Sequence, residues 1–206
     1  MSRVVVFDYG SGNIHSATRA LASVGADVVV SSDRTTALEA DGLVVPGVGA
    51  FAACMDQLAA HDGIETLRHA VAAGQPMLCI CVAHQILFSR GVEHGVDCEG
   101  VGIFPGTVRL LPTTRVPHMG WNEVKAEPKS TYFTTTDRFY FVHSYAALTK
   151  QDCPPTATVM WAEHEGVQFV AAVEDGPLLS TQFHPEKSGR AGLALIQRWV
   201  DNLGAA

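Results

Sequence analysis

The N-terminal part of the chain alternates short, continuously apolar runs with stretches of helical period, and few folds accept that order. "VVVFDYG" (4–10) is a β-branched run stopped by Asp, Gly and Ser. "IHSATRALASVG" (14–25) follows, with Ile14, Ala17, Leu21 and Val24 at helical spacing and Gly25 as a stop. "ADVVVSS" and "DGLVVPGVG" read as the next two strands. "GIETLRHAVAAG" (63–74) reads as a helix with Ile64, Leu67 and Val71 on one face, and "PMLCI" as a fourth strand. Strands without polar alternation are buried on both faces. The pattern therefore predicts an α/β fold with a mostly parallel sheet covered by helices on both sides.

After about residue 100 short strand candidates dominate: "TVRLL", "FYFVHSY", "TATVMWAEH", "QFVAAVED" and "LLSTQFHP". The turns between them predict antiparallel additions to the same sheet. "SGRAGLALIQRWVDNL" closes the chain as a helix, with Ser188 as N-cap and Leu193, Ile196, Val200 and Leu203 on one face. No repeat or linker divides residues 1–206, which read as one domain. A composition of 47% apolar and 17% charged residues suits a packed core, and a net charge of -7 argues against wide contact with nucleic acid or anionic membrane. No apolar run reaches the roughly 18 residues of a membrane span. The N-terminal apolar run is too short for a signal-peptide core, which predicts a cytoplasmic protein. Five scattered cysteines without C-x-x-C spacing predict neither a disulfide framework nor a zinc site, and no metal or cofactor is expected.

"PMLCICVAHQILF" (76–88) carries the chemistry. Cys81 falls where strand "PMLCI" meets the helical pattern "VAHQILFSR". So abrupt a turn strains its apex and projects that side chain above the carboxyl edge of the sheet, where open α/β folds bind ligands. The helix N-terminus behind it favours a thiolate, and its amides, chiefly that of Val82, suit an oxyanion. This is the geometry of a nucleophile elbow, with small residues, Cys79 and Ala83, two places either side. On that reading Cys79 is scaffold; the stretch alone fits two buried small hydrophobes equally well. "STQFHPEKSG" (180–189) supplies a base: Pro185 forces His184 into extended backbone, and Glu186 is placed to orient its ring.

Six blocks, "DYGSGN" (8–13), "VPGVGAF" (45–51), "CICVAHQ" (79–85), "PHMGWN" (117–122), "FYFVHSY" (139–145) and "FHPEKSG" (183–189), together resemble class I (triad-type) glutamine amidotransferases. Among these, "PHMGWN" and "PGVG" are similar to the glutaminase subunits of imidazole glycerol phosphate synthases. The resemblance implies a flavodoxin-like three-layer sandwich. It also implies a Cys81–His184–Glu186 triad, in which Cys81 attacks the glutamine amide, His184 protonates the leaving ammonia, and a thioester is then hydrolysed. Val82 and the loop Gly47, Val48 and Gly49 would bind the oxyanion, with Val48 or Gly49 giving the second amide. Gln85 and Glu93 would hold the amino-acid head. The implied partner is a (β/α)₈ cyclase subunit in a heterodimer, which receives the ammonia to make imidazole glycerol phosphate and aminoimidazole carboxamide ribotide. Asn13, Trp121, Tyr140 and Lys187 match interface positions, although Trp121 and Tyr140 would also suit a core.

The elbow departs from the family pattern, which has Gly at the places of Cys79 and Ala83 and Met at that of His84. A β-carbon at either flank crowds the turn. His84 is expected to be neutral and to act in packing, and His143 reads equally as a satisfied strand histidine. Three other readings compete: a glutaminase-deficient paralogue, a triad glutaminase of another synthase, and a phosphate binder using "GSGN" as an anion loop. "PHMGWN" argues against the second, and the third leaves His184 and Glu186 unused.

Overall fold

The computed structural model describes residues 1–204. Its frame is a seven-stranded sheet. Strands β1 (Arg3–Phe7), β2 (Asp27–Ser31), β3 (Gly42–Gly47) and β4 (Met77–Cys81) form the parallel part. Val4, Val5, Val6, Leu43, Val44 and Val45 are fully buried, as unbroken apolar strands must be inside a covered sheet. Helices α1 (Ile14–Ser23), α2 (Arg34–Leu38), α3 (Phe51–Ala60) and α4 (Gly63–Ala72) connect these strands. Asn13 caps α1 by accepting the Ser16 N–H at 3.3 Å.

The helix expected from Val82 onward is a single turn, α5 (Val82–Gln85), followed by strand β5 (Phe88–Glu93). Non-local pairing overrides local propensity here. The Ile86 and Leu87 carbonyls accept the amides of Val101 and Phe104 instead of continuing a helical ladder. β6 (Val96–Glu99) and β7 (Phe104–Leu110) then pair with β5.

The turns predicted that the later strands would all join the main sheet, but only some of them do. β7 and β10 (Tyr145–Ala146) sit with β5 and β6 in a separate four-stranded sheet. β8 (His118–Val124) and β9 (Asp137–His143) form a two-stranded ribbon. Only β11 (Thr158–His164), β12 (Val167–Asp175) and β13 (Leu178–Thr181) extend the main sheet, in the order β11-β12-β13-β4-β3-β1-β2. β12 is antiparallel to both neighbours, and β13 returns parallel to β4. The closing helix is α6 (Gly189–Asp201). Its buried face is Gly192, Leu195, Ile196, Trp199 and Val200; Leu193, expected inward, is exposed. α1 packs on α6, while α4 packs on α2 and α3, so that helices cover both sheet faces in a three-layer α/β arrangement. Among the described residues no helix is long and apolar enough to cross a membrane.

Candidate active site

β4 lies between β3 and β13 at the centre of the sheet, and Cys81 is its last residue. The backbone at Cys81 has φ 60° and ψ -113°, a left-handed conformation that costs an L-residue about 1–3 kcal/mol. Close packing from β3 accompanies this strain. A Cβ on Gly47 would lie 2.4 Å from the Ala83 amide nitrogen and 3.0 Å from the Val82 carbonyl carbon. Gly47, expected at the substrate, thus packs beneath the elbow and does not line the cavity above it. Gly47→Ala should lower unfolding free energy by about 3 kcal/mol, an overpacking cost, measured by denaturant titration. The variant should also slow Cys81 alkylation. Unchanged stability would show that the elbow relaxes freely.

The flanking residues that depart from the family pattern are accommodated. Cys79 and Ala83 are fully buried. Burial pushes the Cys79 thiol far above its usual range, so it is no nucleophile. His84 points into the core, with Nδ1 2.8 Å from Ser180 Oγ and its ring edge-on to Phe88. Burial pulls its pKa down to about 3, which makes it the neutral packing residue expected.

His184 follows β13 in extended backbone (φ -101°, ψ 95°), as its proline neighbour requires. Its N–H donates to the Tyr140 carbonyl at 2.9 Å. Ser188 does not cap α6 with its side chain: its Oγ donates to the His184 carbonyl at 2.6 Å and accepts the Tyr140 N–H at 2.9 Å. The main chain is therefore clamped to β9. The ring Nδ1 lies 2.8 Å from Glu186 Oε1, with both side chains 2% exposed. Burial opposes the imidazolium. Hydrogen bonding to Cys81 and to Glu186, with their negative charge, outweighs it and lifts His184 to about 9.

Cys81 and His184 open into a cavity of about 360 Å³, also lined by Val48, Gly49, Val82, Gln85, Glu93 and Lys187. Gln85 donates both amide hydrogens, to the Tyr145 carbonyl at 2.8 Å and to Gln182 Oε1 at 2.9 Å, so it offers Oε1 to a ligand. Glu93 Oε2 accepts the Phe51 N–H at 2.7 Å. It thereby serves the start of α3, where Ala50 supplies no side-chain cap. Both backbone polar groups of Val48 are engaged by Ser11. Its N–H donates to Ser11 Oγ at 3.3 Å, and its carbonyl accepts from Ser11 Oγ at 2.7 Å and Cys54 Sγ at 3.1 Å.

Trp121 is 50% exposed and meets Tyr140 edge-on at 6.2 Å, with Met119 beside it 61% exposed. That exposure argues against the core reading of Trp121. Residues absent from the expected site also line the cavity: His94, Pro117, Val142, His143, Ser144 and Tyr145. Of these, Pro117 and residues 142–145 lie inside sequence blocks already noted; His94 carries no local signal.

A cysteine on a strained elbow shares its cavity with a buried His–Glu pair, the arrangement expected of a triad-type glutamine amidotransferase. In agreement, the family model "Glutamine amidotransferase class-I" matches residues 5–202, and the chain belongs to that family and, within it, to the imidazole glycerol phosphate synthase HisH subunits. The HisH subunit of Leifsonia xyli subsp. xyli is 55% identical, covering 98% of this chain and 100% of its own. That of Thermobifida fusca is 56% identical, covering 98% and 99%. Two solved structures share the fold at low identity. A crystal structure of a glutamine amidotransferase has TM-score 0.76 at 16% identity, covering 98% of each chain. PurLQS from Thermotoga maritima has TM-score 0.73 at 17% identity, covering 98% of this chain and all of its own.

Proposed function

We infer that this chain is the glutaminase subunit of an imidazole glycerol phosphate synthase in histidine biosynthesis. It releases ammonia from glutamine for a (β/α)₈ cyclase partner. The observation that carries the chemistry is the opening of Cys81, at its strained apex, and of the buried His184–Glu186 pair into one cavity. The Cys81 thiolate attacks the side-chain amide carbon, and His184 gives its proton to the departing ammonia. The γ-glutamyl thioester is hydrolysed by water deprotonated by the now neutral ring. The Val82 amide, at the start of α5, stabilises the oxyanion. Gln85 Oε1 and Glu93 receive the α-ammonium group. Trp121, Met119, Tyr140, Asn13 and Lys187 form the docking face for the cyclase.

A second oxyanion donor is withheld, because the Val48 N–H is bonded to Ser11. Turning that N–H inward requires breaking its bond to Ser11, so the isolated subunit rests in a low-activity state that docking relieves. Glutamate release is to be measured with and without the cyclase and its nucleotide ligand. Strong activation is expected for the wild-type chain. Ser11→Ala should raise the activity of the isolated subunit about five-fold, the effect of one hydrogen bond, and shrink the activation ratio correspondingly. Full turnover by the isolated wild-type chain would refute the latch. No glutamate release in the complex would refute the glutaminase assignment.

A further inference from the structure

A buried line of hydrogen bonds runs from β8 to the cavity, and its ends fix the position of every proton. A carbonyl only accepts, so the 3.0 Å contact between His143 Nδ1 and the Tyr145 carbonyl places the proton on Nδ1. His143 Nε2 is then a lone pair, and His118 Nδ1, 3.0 Å away, must be the donor to it. His118 Nε2 is left to accept an N–H from Asn122 at 3.1 Å. The other Asn122 N–H goes to the Glu163 carbonyl at 2.8 Å, and its Oδ1 accepts the Glu123 amide, so this side chain has no reason to flip. Both rings are buried, and the strands bring the two histidines into direct register.

The line ends on groups that face the substrate. The Tyr145 carbonyl accepts from His143 and from Gln85 Nε2. The Tyr145 hydroxyl accepts the backbone N–H of His94, the residue after Glu93. One residue thus ties together both groups assigned to the amino-acid head, and His143 holds that residue's peptide plane.

We propose that His143, with its proton placed by His118 and Asn122, is a positioning residue for the amino-acid head of the substrate, acting through Tyr145 on Gln85 and on the Glu93–His94 turn. The proposal rests on the reading of the cavity as a glutamine site. The surroundings keep the line neutral. Burial lowers His118 to about 4 and His143 to about 3. His164 stacks on His118 at 4.3 Å, and Phe141 and Phe169 wall both rings. His84 lies near His143 and also disfavours its charge. Arg115, Glu163 and Glu165 line the same surface groove as His118. The direction of the line is therefore constant from roughly pH 6 to 9.

Steady-state glutamate release by the assembled synthase tests this. His143→Phe keeps a ring but loses both bonds. It should raise KM for glutamine about ten-fold, with a smaller fall in kcat. Alkylation of Cys81 by iodoacetamide, which has no amino-acid head, should proceed at the wild-type rate. His143→Asn places an amide donor near the Nδ1 position and should recover most of the KM. Asn122→Asp turns the donor to His118 into an acceptor. A singly protonated His118 then cannot serve both neighbours, whereas a doubly protonated one can. KM should therefore be near normal at low pH and rise with pH, while the wild-type KM stays flat. This variant decides the matter alone if His143→Phe fails to fold. A folded His143→Phe with unchanged KM, or a flat KM profile in Asn122→Asp, overturns the positioning role while glutamate release sustains the glutaminase assignment. A wild-type complex that releases no glutamate overturns both.

Discussion

In the assembled synthase, Cys81→Ala should abolish glutamine-dependent synthesis, a loss of at least about 10⁴-fold, while synthesis fed by free ammonia continues. The two readouts separate chemistry from folding. A collapsed elbow would impair docking and so lower the ammonia-fed rate as well; loss of the nucleophile alone would not. Cys79 is the internal control. It lies two residues away in the same strand, between Val45 of β3 and Ser180 of β13. Its thiol has no path to a thiolate at neutral pH because burial opposes the charge. Cys79→Ala should keep most of the glutaminase rate and lose about 1–2 kcal/mol of stability from the small cavity left behind. Equal inactivation by the two substitutions would break the assignment of the nucleophile.

Chain order placed Cys81 at the apex but left both cysteines readable as buried small hydrophobes; the positive φ at Cys81 and the complete burial of Cys79 separate them. A strand followed at once by a helical turn has one apex, and Cys81 occupies it. The parallel strands were legible for a similar reason: "VVVF" and "LVV" cannot satisfy a surface. What local pattern could not supply was set by pairing between distant segments. "QILFSR" has apolar residues that fit a helix, but residues 101 and 104 claim its carbonyls and make Phe88–Glu93 a strand. The later strands carry no mark of which sheet they will join, so the β8–β9 ribbon and the small sheet around β7 read like edges of the main one. The Ser11–Cys54 hold on Val48 joins three segments whose approach no spacing encodes. Likewise His143 could be read as satisfied or functional; its pairing with His118 across the ribbon and its place in the cavity wall, from which the positioning role is proposed, come from long-range approach that no spacing encodes.

Glu186→Gln should lower kcat/KM for glutamine by about 10³-fold and, more tellingly, move its pH dependence. In the wild type, burial disfavours the imidazolium, but hydrogen bonds and negative charge from Cys81 and Glu186 raise His184 from 6.5 to about 9. A raised histidine stabilises the fold fully below its unfolded value of 6.5, and that contribution is lost as pH rises through about 9. The protonated ring is also the acid that ammonia needs, so the alkaline limb of the wild-type rate should fall near pH 9. Glutamine at position 186 keeps a hydrogen-bonding group but removes the charge. Burial then meets less opposition, and both the alkaline limb and the loss of stability should shift to lower pH. The pH profile of kcat/KM in the complex, read beside denaturant unfolding of the same variant, measures the two shifts together. A limb that stays at pH 9 would mean that Cys81 alone holds the proton on His184, leaving Glu186 as a ring orienter only.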